Sequence, residues 1–282
     1  MSAYALTLRR EHGAIPGFPL ALGVTLTALC LIVLIPLAAL ILRAAGIGAA
    51  DFWRIATTER TLAALRLSFG ASLLAALIDA ALGLLLAWVL VRYRFPGRGL
   101  VNGLVDLPVA LPTAVAGISL TAIYAPNGII GSLFEPLGIK IAYTPAGIVL
   151  ALIFIGLPFV VRTLQPVIAE FEKETEEAAA LLGASRARTV FTVVLPAAIP
   201  ALLTGFALAF ARALGEYGSV IFIAGNMPGV SEIAPLLIVV RLEEFDYAGA
   251  TVIATVILAA AFAFLLAINV IASRARTRLG YA

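Results

Sequence analysis

The sequence predicts an all-α, polytopic membrane protein with six transmembrane helices. Three observations carry that reading: 62% of the 282 residues are hydrophobic, only 12% are charged, and the apolar residues gather in long runs. A soluble domain carries about 25% charged residues, because Lys, Arg, Asp and Glu cover its surface and rarely sit buried. A mean hydropathy of +1.10 therefore excludes an ordinary soluble enzyme, a disordered chain and a nucleic-acid binder. The solvent this composition needs is lipid.

A helix that crosses the hydrocarbon needs roughly 20 mostly apolar residues. Residues 20–42, 67–91, 104–125, 197–223 and 248–272 qualify, and residues 146–161, with polar flanks, supply the remaining span. Backbone groups in hydrocarbon must bond within their own segment, so runs of this length form helices; a barrel would show short alternating strands. The expected organisation is a cytoplasmic segment over 1–19, a first helix over 20–42, a core of five helices over 62–272 and a cytoplasmic tail over 273–282. The first run is too long for the apolar region of a signal peptide and no small-residue cleavage site closes it. It is expected to remain as a helix.

Charge sets the orientation. With the N-terminus inside, the cytoplasmic side holds Arg9, Arg10, Arg92, Arg94, Arg98, Arg162, Lys173, Arg186, Arg188, Arg274, Arg276 and Arg278. The opposite side holds half as many: Arg43, Arg54, Arg60, Arg66, Lys140 and Arg241. The bias places both termini in the cytoplasm, and it accounts for the net charge of +3 without a polyanionic partner. One histidine, His12, and one cysteine, Cys30, exclude an intrachain disulfide and a His/Cys metal cluster. No Gly-x-x-x-x-Gly-Lys-[Ser/Thr] phosphate loop is present. With no nucleophile and base set either, the chain is expected to be non-catalytic, with no cofactor-binding and no metal-binding residues.

Residues 172–196 form the longest inner connection and carry a pattern of their own. Glu172, Glu174, Glu176 and Glu177 open a run of strong helix formers, where negative charge suits the positive end of a helix. Gly183 can take positive φ and stop that helix. Ser185 is placed to cap a second one, and Pro196 is acceptable in the first turn of the next. The loop therefore predicts helix, turn and helix at the membrane surface.

Within it, Glu177-Ala178-Ala179, then Gly183, then Val193-x-Leu195-Pro196 resemble the EAA loop of ABC-importer permeases, with Val193 in place of the usual Ile. Other stretches resemble one branch of that superfamily, the sulfate/thiosulfate permeases of the T type (CysT/CysU): Arg92 to Arg98, Asp106 to Gly117, Leu157 to Pro166, Ala213 to Asn226 and Val240 to Tyr247. Molybdate permeases share the EAA loop and part of the Leu-Gly-Glu-aromatic-Gly stretch, so those two segments do not separate the anions. The resemblance implies a type I ABC-importer permease (MetI-like) fold in a bacterial inner membrane. It implies a sulfate or thiosulfate importer that works by alternating access. It also implies partners: a homologous W-type permease chain forming a heterodimer, two ATP-binding subunits that hold ATP and Mg, and a periplasmic sulfate/thiosulfate-binding protein. In such a family the EAA loop couples the permease to the ATPase.

Charges inside spans cost at least about 2.5–3.5 kcal/mol on insertion scales, so Asp79, Asp106, Arg212 and Glu216 are expected to face the bundle or a wet cavity. Arg212 and Glu216, at i and i+4, share a helix face and can pair. Such a pair either locks its helix or lends positive potential to an anion path with Glu216 as restraint. Asp79 and Asp106 are expected in helix packing or capping, Asp106 beside a span broken by Pro108 and Pro112. Thr113, Ser119 and Thr121 place hydroxyls along that same span, which makes it the first choice for lining the pore. The candidate path residues are thus Arg212, Glu216, Thr113 and Ser119.

Overall fold

The computed structural model describes residues 17–171, 179 and 181–278. It is helical, with no strand among the described residues, and it divides into two units, residues 1–49 and 50–282. Among the described residues, five helices are long and apolar enough to cross a membrane, or six when one bent pair counts as a span.

The first unit contains helix α1, Phe18–Gly46. Its turn Cys30–Leu34 is π-helical, with the Ile35 N–H donating to the Cys30 carbonyl. The cause is Pro36, which has no N–H to donate and whose ring crowds the carbonyl four residues back; a widened turn absorbs both. Leu20, Ile32 and Leu42 on this helix are exposed, a surface suited to hydrocarbon.

The second unit begins with a short helix, α2 (Ala49–Ala56), and is built on α3 (Glu59–Arg92), α7 (Pro145–Glu170) and α9 (Leu195–Leu214). Small residues let these three approach closely, the usual device where lipid offers no hydrophobic drive between helices. A Cβ on Gly83 would stand 2.6 Å from Val160 Cγ1, and one on Gly205 would stand 3.0 Å from Val160 Cα. Val160 is thus seated between two glycines. The last long helix, α12 (Tyr247–Arg278), packs Phe264 on the fully buried Phe210 of α9, with ring centroids 3.9 Å apart.

Four boundaries differ from the sequence expectation. The run over 104–125 is two helices, α4 (Arg98–Ala110) and α5 (Thr113–Tyr124), bent by 114°. Pro112 disfavours helical backbone in the residue before it, and Leu111 is accordingly extended, with φ −81 and ψ 139. Between α5 and α7 lies a single turn, α6 (Gly131–Phe134). The fourth span runs past residue 161 to Glu170, taking Pro158 and Pro166 inside the helix, which neighbouring helices in a membrane allow. The fifth begins as α8 (Arg186–Thr189), passes through a second π turn at Val190–Val194 ahead of Pro196, and continues as α9. It stops as a helix at Leu214 rather than 223, where Gly215, at φ −88 and ψ 3, leaves the helical conformation. Beyond it come a short turn, α10 (Val220–Ile223), and a helix outside the six expected runs, α11 (Ala234–Glu243).

Candidate functional site

The coupling segment is partly visible. Glu177 and Ala178, with the acidic residues from Glu172, lie outside the described residues. The predicted turn comes directly after them. Gly183 has φ +82, and the Ala184 N–H donates to the Ala179 carbonyl at 3.0 Å, the six-to-one bond that closes a helix on a left-handed glycine. Ser185 then accepts from the Arg188 N–H at 3.3 Å, a helix cap in the expected place. Val193 lies in the π turn and Leu195 and Pro196 in the first turn of α9, so the end of the motif is the root of a transmembrane helix and not free loop. Leu181 and Leu182 are each 89% exposed beside Gly183. Two adjacent bare leucines outside the spans are an unfilled contact surface.

Of the four residues expected to line the path, three come together. Arg212 Nη1 lies 2.6 Å from Glu216 Oε2, and the other carboxylate oxygen, Oε1, accepts from the Ser219 N–H at 2.9 Å and from its hydroxyl at 3.1 Å. Glu216 is buried and therefore ties the end of α9 to the start of α10. Across from it stands α5. A Cβ on Gly117 would overlap the Ser219 backbone, and one on Gly218 would overlap the Thr113 hydroxyl. Thr113 and Gly117, at i and i+4, share the face that meets this segment. Ser119 is exposed and two positions beyond Gly117, on the other side of α5.

A second polar cluster lies outside the set expected from sequence. The charge count puts Arg162 on the cytoplasmic side, and it lies in α7 eight residues before its end, or about 12 Å along the helix at the helical rise. Its Nε donates to Asp106 Oδ1 at 2.7 Å, and its Nη2 donates to Asp106 Oδ2 and, at 2.8 Å, to the Asn102 carbonyl. Its Nη1 donates to Asn102 Oδ1 at 2.9 Å and to Gln165 Oε1 at 2.5 Å. The five N–H donors of a guanidinium are all used. Asp106 thus pairs across two helices instead of capping broken backbone, because a guanidinium satisfies both of its oxygens at once. The signal is present as spacing: Asn102 and Asp106 at i, i+4 and Arg162 and Gln165 at i, i+3 each form one helix face. The cluster borders an open cleft of about 550 Å³ whose lining includes Val109, Phe159, Thr163 and Leu208. A second cleft of about 520 Å³ shares Thr163 and runs past Thr204 and Glu170.

Two further groups complete the picture. Arg60 at the start of α3 grips the buried Glu232 through two bonds of 2.9 and 2.7 Å, while Ser68 accepts from the Ala234 N–H at 2.7 Å. Asp79, in the middle of α3, is fully buried, and neither of its carboxylate oxygens has a hydrogen-bond partner among the described residues. It faces Gly156, where a Cβ would overlap its carboxylate, and Ala209. Packing, one of the two expected roles, is what the structure gives it. No group of His, Cys, Asp and Glu among the described residues could hold a metal.

A helical bundle with five long apolar helices among the described residues, a further broken span and a charge pair bordering a cleft defines a polytopic membrane protein. Residues 79–279 match the family described as the binding-protein-dependent transport system inner membrane component. The chain is 47% identical to the sulfate transport system permease protein CysT of Escherichia coli (strain K12), over 96% of this chain and 97% of that protein. It is 48% identical to the CysT protein of Synechocystis sp., over 88% and 87% respectively. Its fold is that of a bacterial ABC transporter involved in alginate import, with a TM-score of 0.75 at 17% identity over 92% of this chain and 96% of that one. A second structure of an alginate transporter, in complex with a pentasaccharide-bound periplasmic protein, gives 0.74 at 17% identity over 93% and 94%. The chain belongs to the binding-protein-dependent ABC-importer permeases, as an inner-membrane component in the CysT branch.

Proposed function

We propose that this chain is the permease subunit of an ATP-driven importer of sulfate or thiosulfate. The observation that carries this is identity near one residue in two with CysT proteins across almost the whole chain. In this reading the anion is captured outside by a sulfate/thiosulfate-binding protein and crosses between this chain and a homologous W-type chain. Both termini face the cytoplasm, in keeping with the Arg and Lys bias. Two ATP-binding subunits hold ATP and Mg, and this chain holds no cofactor and performs no covalent chemistry. They drive the helices through Glu177, Ala178, Ala179 and Gly183, whose movement passes by Val193, Leu195 and Pro196 straight into α9. The exposed Leu181 and Leu182 supply apolar contact for such a partner. Arg212, Glu216 and Thr113 line the anion path where α5 meets the segment after α9, and Ser119 offers a hydroxyl on the far face of α5. A dianion is passed rather than held, since a site that binds tightly also releases slowly.

The test is uptake into proteoliposomes carrying the complete transporter. Sulfate and thiosulfate are expected to accumulate only with ATP and the binding protein present. Accumulation of molybdate in preference to sulfate would overturn the cargo, and uptake driven by a proton gradient without ATP would overturn the class.

A further inference from the structure

We propose that the outward edge of Arg162, its Nε and Nη2, is a transient oxyanion site within the permease, occupied in this conformation by the Asp106 carboxylate as a built-in stand-in for the cargo. The inference rests on the reading of the chain as an anion permease and adds where the anion is touched. A guanidinium edge that takes two carboxylate oxygens takes two oxygens of a tetrahedral oxyanion with the same parallel bonds. The opposite edge is fixed by neutral groups only, the Asn102 carbonyl, Asn102 Oδ1 and Gln165 Oε1, and Gln165 in turn donates to Asn102 Oδ1 at 3.1 Å. The guanidinium is thereby held in place by Gln165 on its own helix and by Asn102 on α4, so that Asp106, the one charged partner among the described residues, can leave by rotating its side chain alone.

That partner is poised to leave. The Asp106 side chain is 53% exposed, whereas the acids that pair with Arg60 and Arg212 are each 2% exposed. A half-exposed carboxylate inside the span of a bundle is too costly against hydrocarbon, so the cleft it borders is wet. At about 30 Å³ per water, a cleft of about 550 Å³ admits a tetrahedral anion together with part of its hydration shell. When the Asp106 side chain swings into the cleft, an oxyanion replaces it bond for bond, while Asn102 on the same helix keeps its hold on the guanidinium. The exchange gains little energy, and the displaced carboxylate stays near enough to repel the dianion again. The result is a short dwell, as conduction requires.

Two measurements on the complete transporter decide this. In proteoliposomes, Arg162→Lys keeps the charge and loses the two-pronged edge; sulfate uptake is expected to fall at least tenfold while the ATP-binding subunits still co-purify. In detergent without the binding protein, Asp106→Asn replaces the charged occupant of the edge by one neutral acceptor, easily displaced, and leaves a net positive charge. Saturable retention of radiolabelled sulfate is expected to rise at least tenfold over the unchanged protein, to yield to thiosulfate or molybdate but not to chloride at equal ionic strength, and to vanish when Arg162→Gln is added. Uptake by Arg162→Lys at the unchanged rate, no gain in retention by Asp106→Asn, or a gain that survives Arg162→Gln would each overturn the proposal. Should Arg162→Lys fail to assemble, the retention measurement decides alone. Should the unchanged transporter carry molybdate and not sulfate, the cargo reading falls, and retention of molybdate by Asp106→Asn still decides the site.

Discussion

Two of the arginine–carboxylate pairs in this bundle are built in opposite ways. Arg212 and Glu216 belong to one stretch of chain, and their acid is buried and shared with Ser219. Arg162 and Asp106 join two helices, and their acid is half exposed at a cleft. The chemistry of the pair is the same; the location of the carboxylate differs. A buried acid cannot leave without stranding its partners, so the first pair anchors the end of α9. An exposed acid has water to fall back on, so the second can open. Burial of the acid, and not the presence of the pair, separates a fixed joint from a movable one.

The sharpest way to break that distinction is Glu216→Ala. It leaves Arg212 without its carboxylate and the buried Ser219 N–H without an acceptor. Removing one partner of a buried pair costs about 3–5 kcal/mol, so a marked fall in the unfolding midpoint of the purified transporter is expected, with poor assembly. Replacing both residues by apolar ones of similar size, Arg212→Met with Glu216→Leu, is expected to recover much of the loss. Uptake separates the two roles open at this site: a recovered fold that still transports makes the pair a lock alone, and a recovered fold that does not transport gives Arg212 a place in the anion path.

Asp79 extends the comparison to an acid that is buried with no hydrogen-bond partner among the described residues. Its room exists because residue 156 is glycine. Gly156→Ala drives a methyl into the carboxylate, and overpacking of this kind costs about 1–3 kcal/mol. Asp79→Ala has no bond to lose and is expected to cost less by itself. In the double variant the clash is gone, so thermal unfolding of all three should show a coupling of opposite sign to the single losses. Simple additivity would mean that the glycine serves some other contact.

Much of this is readable from the residues and some is not. The turn at Gly183 and the cap at Ser185 are local: a left-handed glycine and a hydroxyl acceptor act within a few residues, and they lie where the pattern puts them. The Arg212–Glu216 pair is readable for the same reason, as an i, i+4 spacing. Arg162 enters a charge count only as one more cation on the cytoplasmic side, because such a count carries no information on partners and Asp106 stands 56 residues away in sequence. Two prolines suggest the break at Leu111–Pro112, but a bend of 114° depends on where α5 finds a surface to pack on, here Ser219 against Gly117. Ser119 groups with Thr113 by residue type, and helical geometry turns it away.

The smallest effect concerns the stability of the movable joint. Asp106 is half exposed, so its pair with Arg162 is screened by water, and exposed pairs contribute about 0.2–1 kcal/mol. Asp106→Asn keeps one acceptor for the guanidinium and leaves the contacts to Asn102 and Gln165 in place. The unfolding midpoint is therefore expected to move little, by less than about a third of the shift seen for Glu216→Ala under the same conditions. Added sulfate sharpens this further. If the oxyanion takes the vacated edge, the Asp106→Asn transporter gains thermal stability with rising sulfate according to its occupancy, while the unchanged protein, whose edge is already filled, gains less. Equal responses, or a large loss of stability without sulfate, would place Asp106 with Glu216 as a fixed support and remove the difference between the two joints.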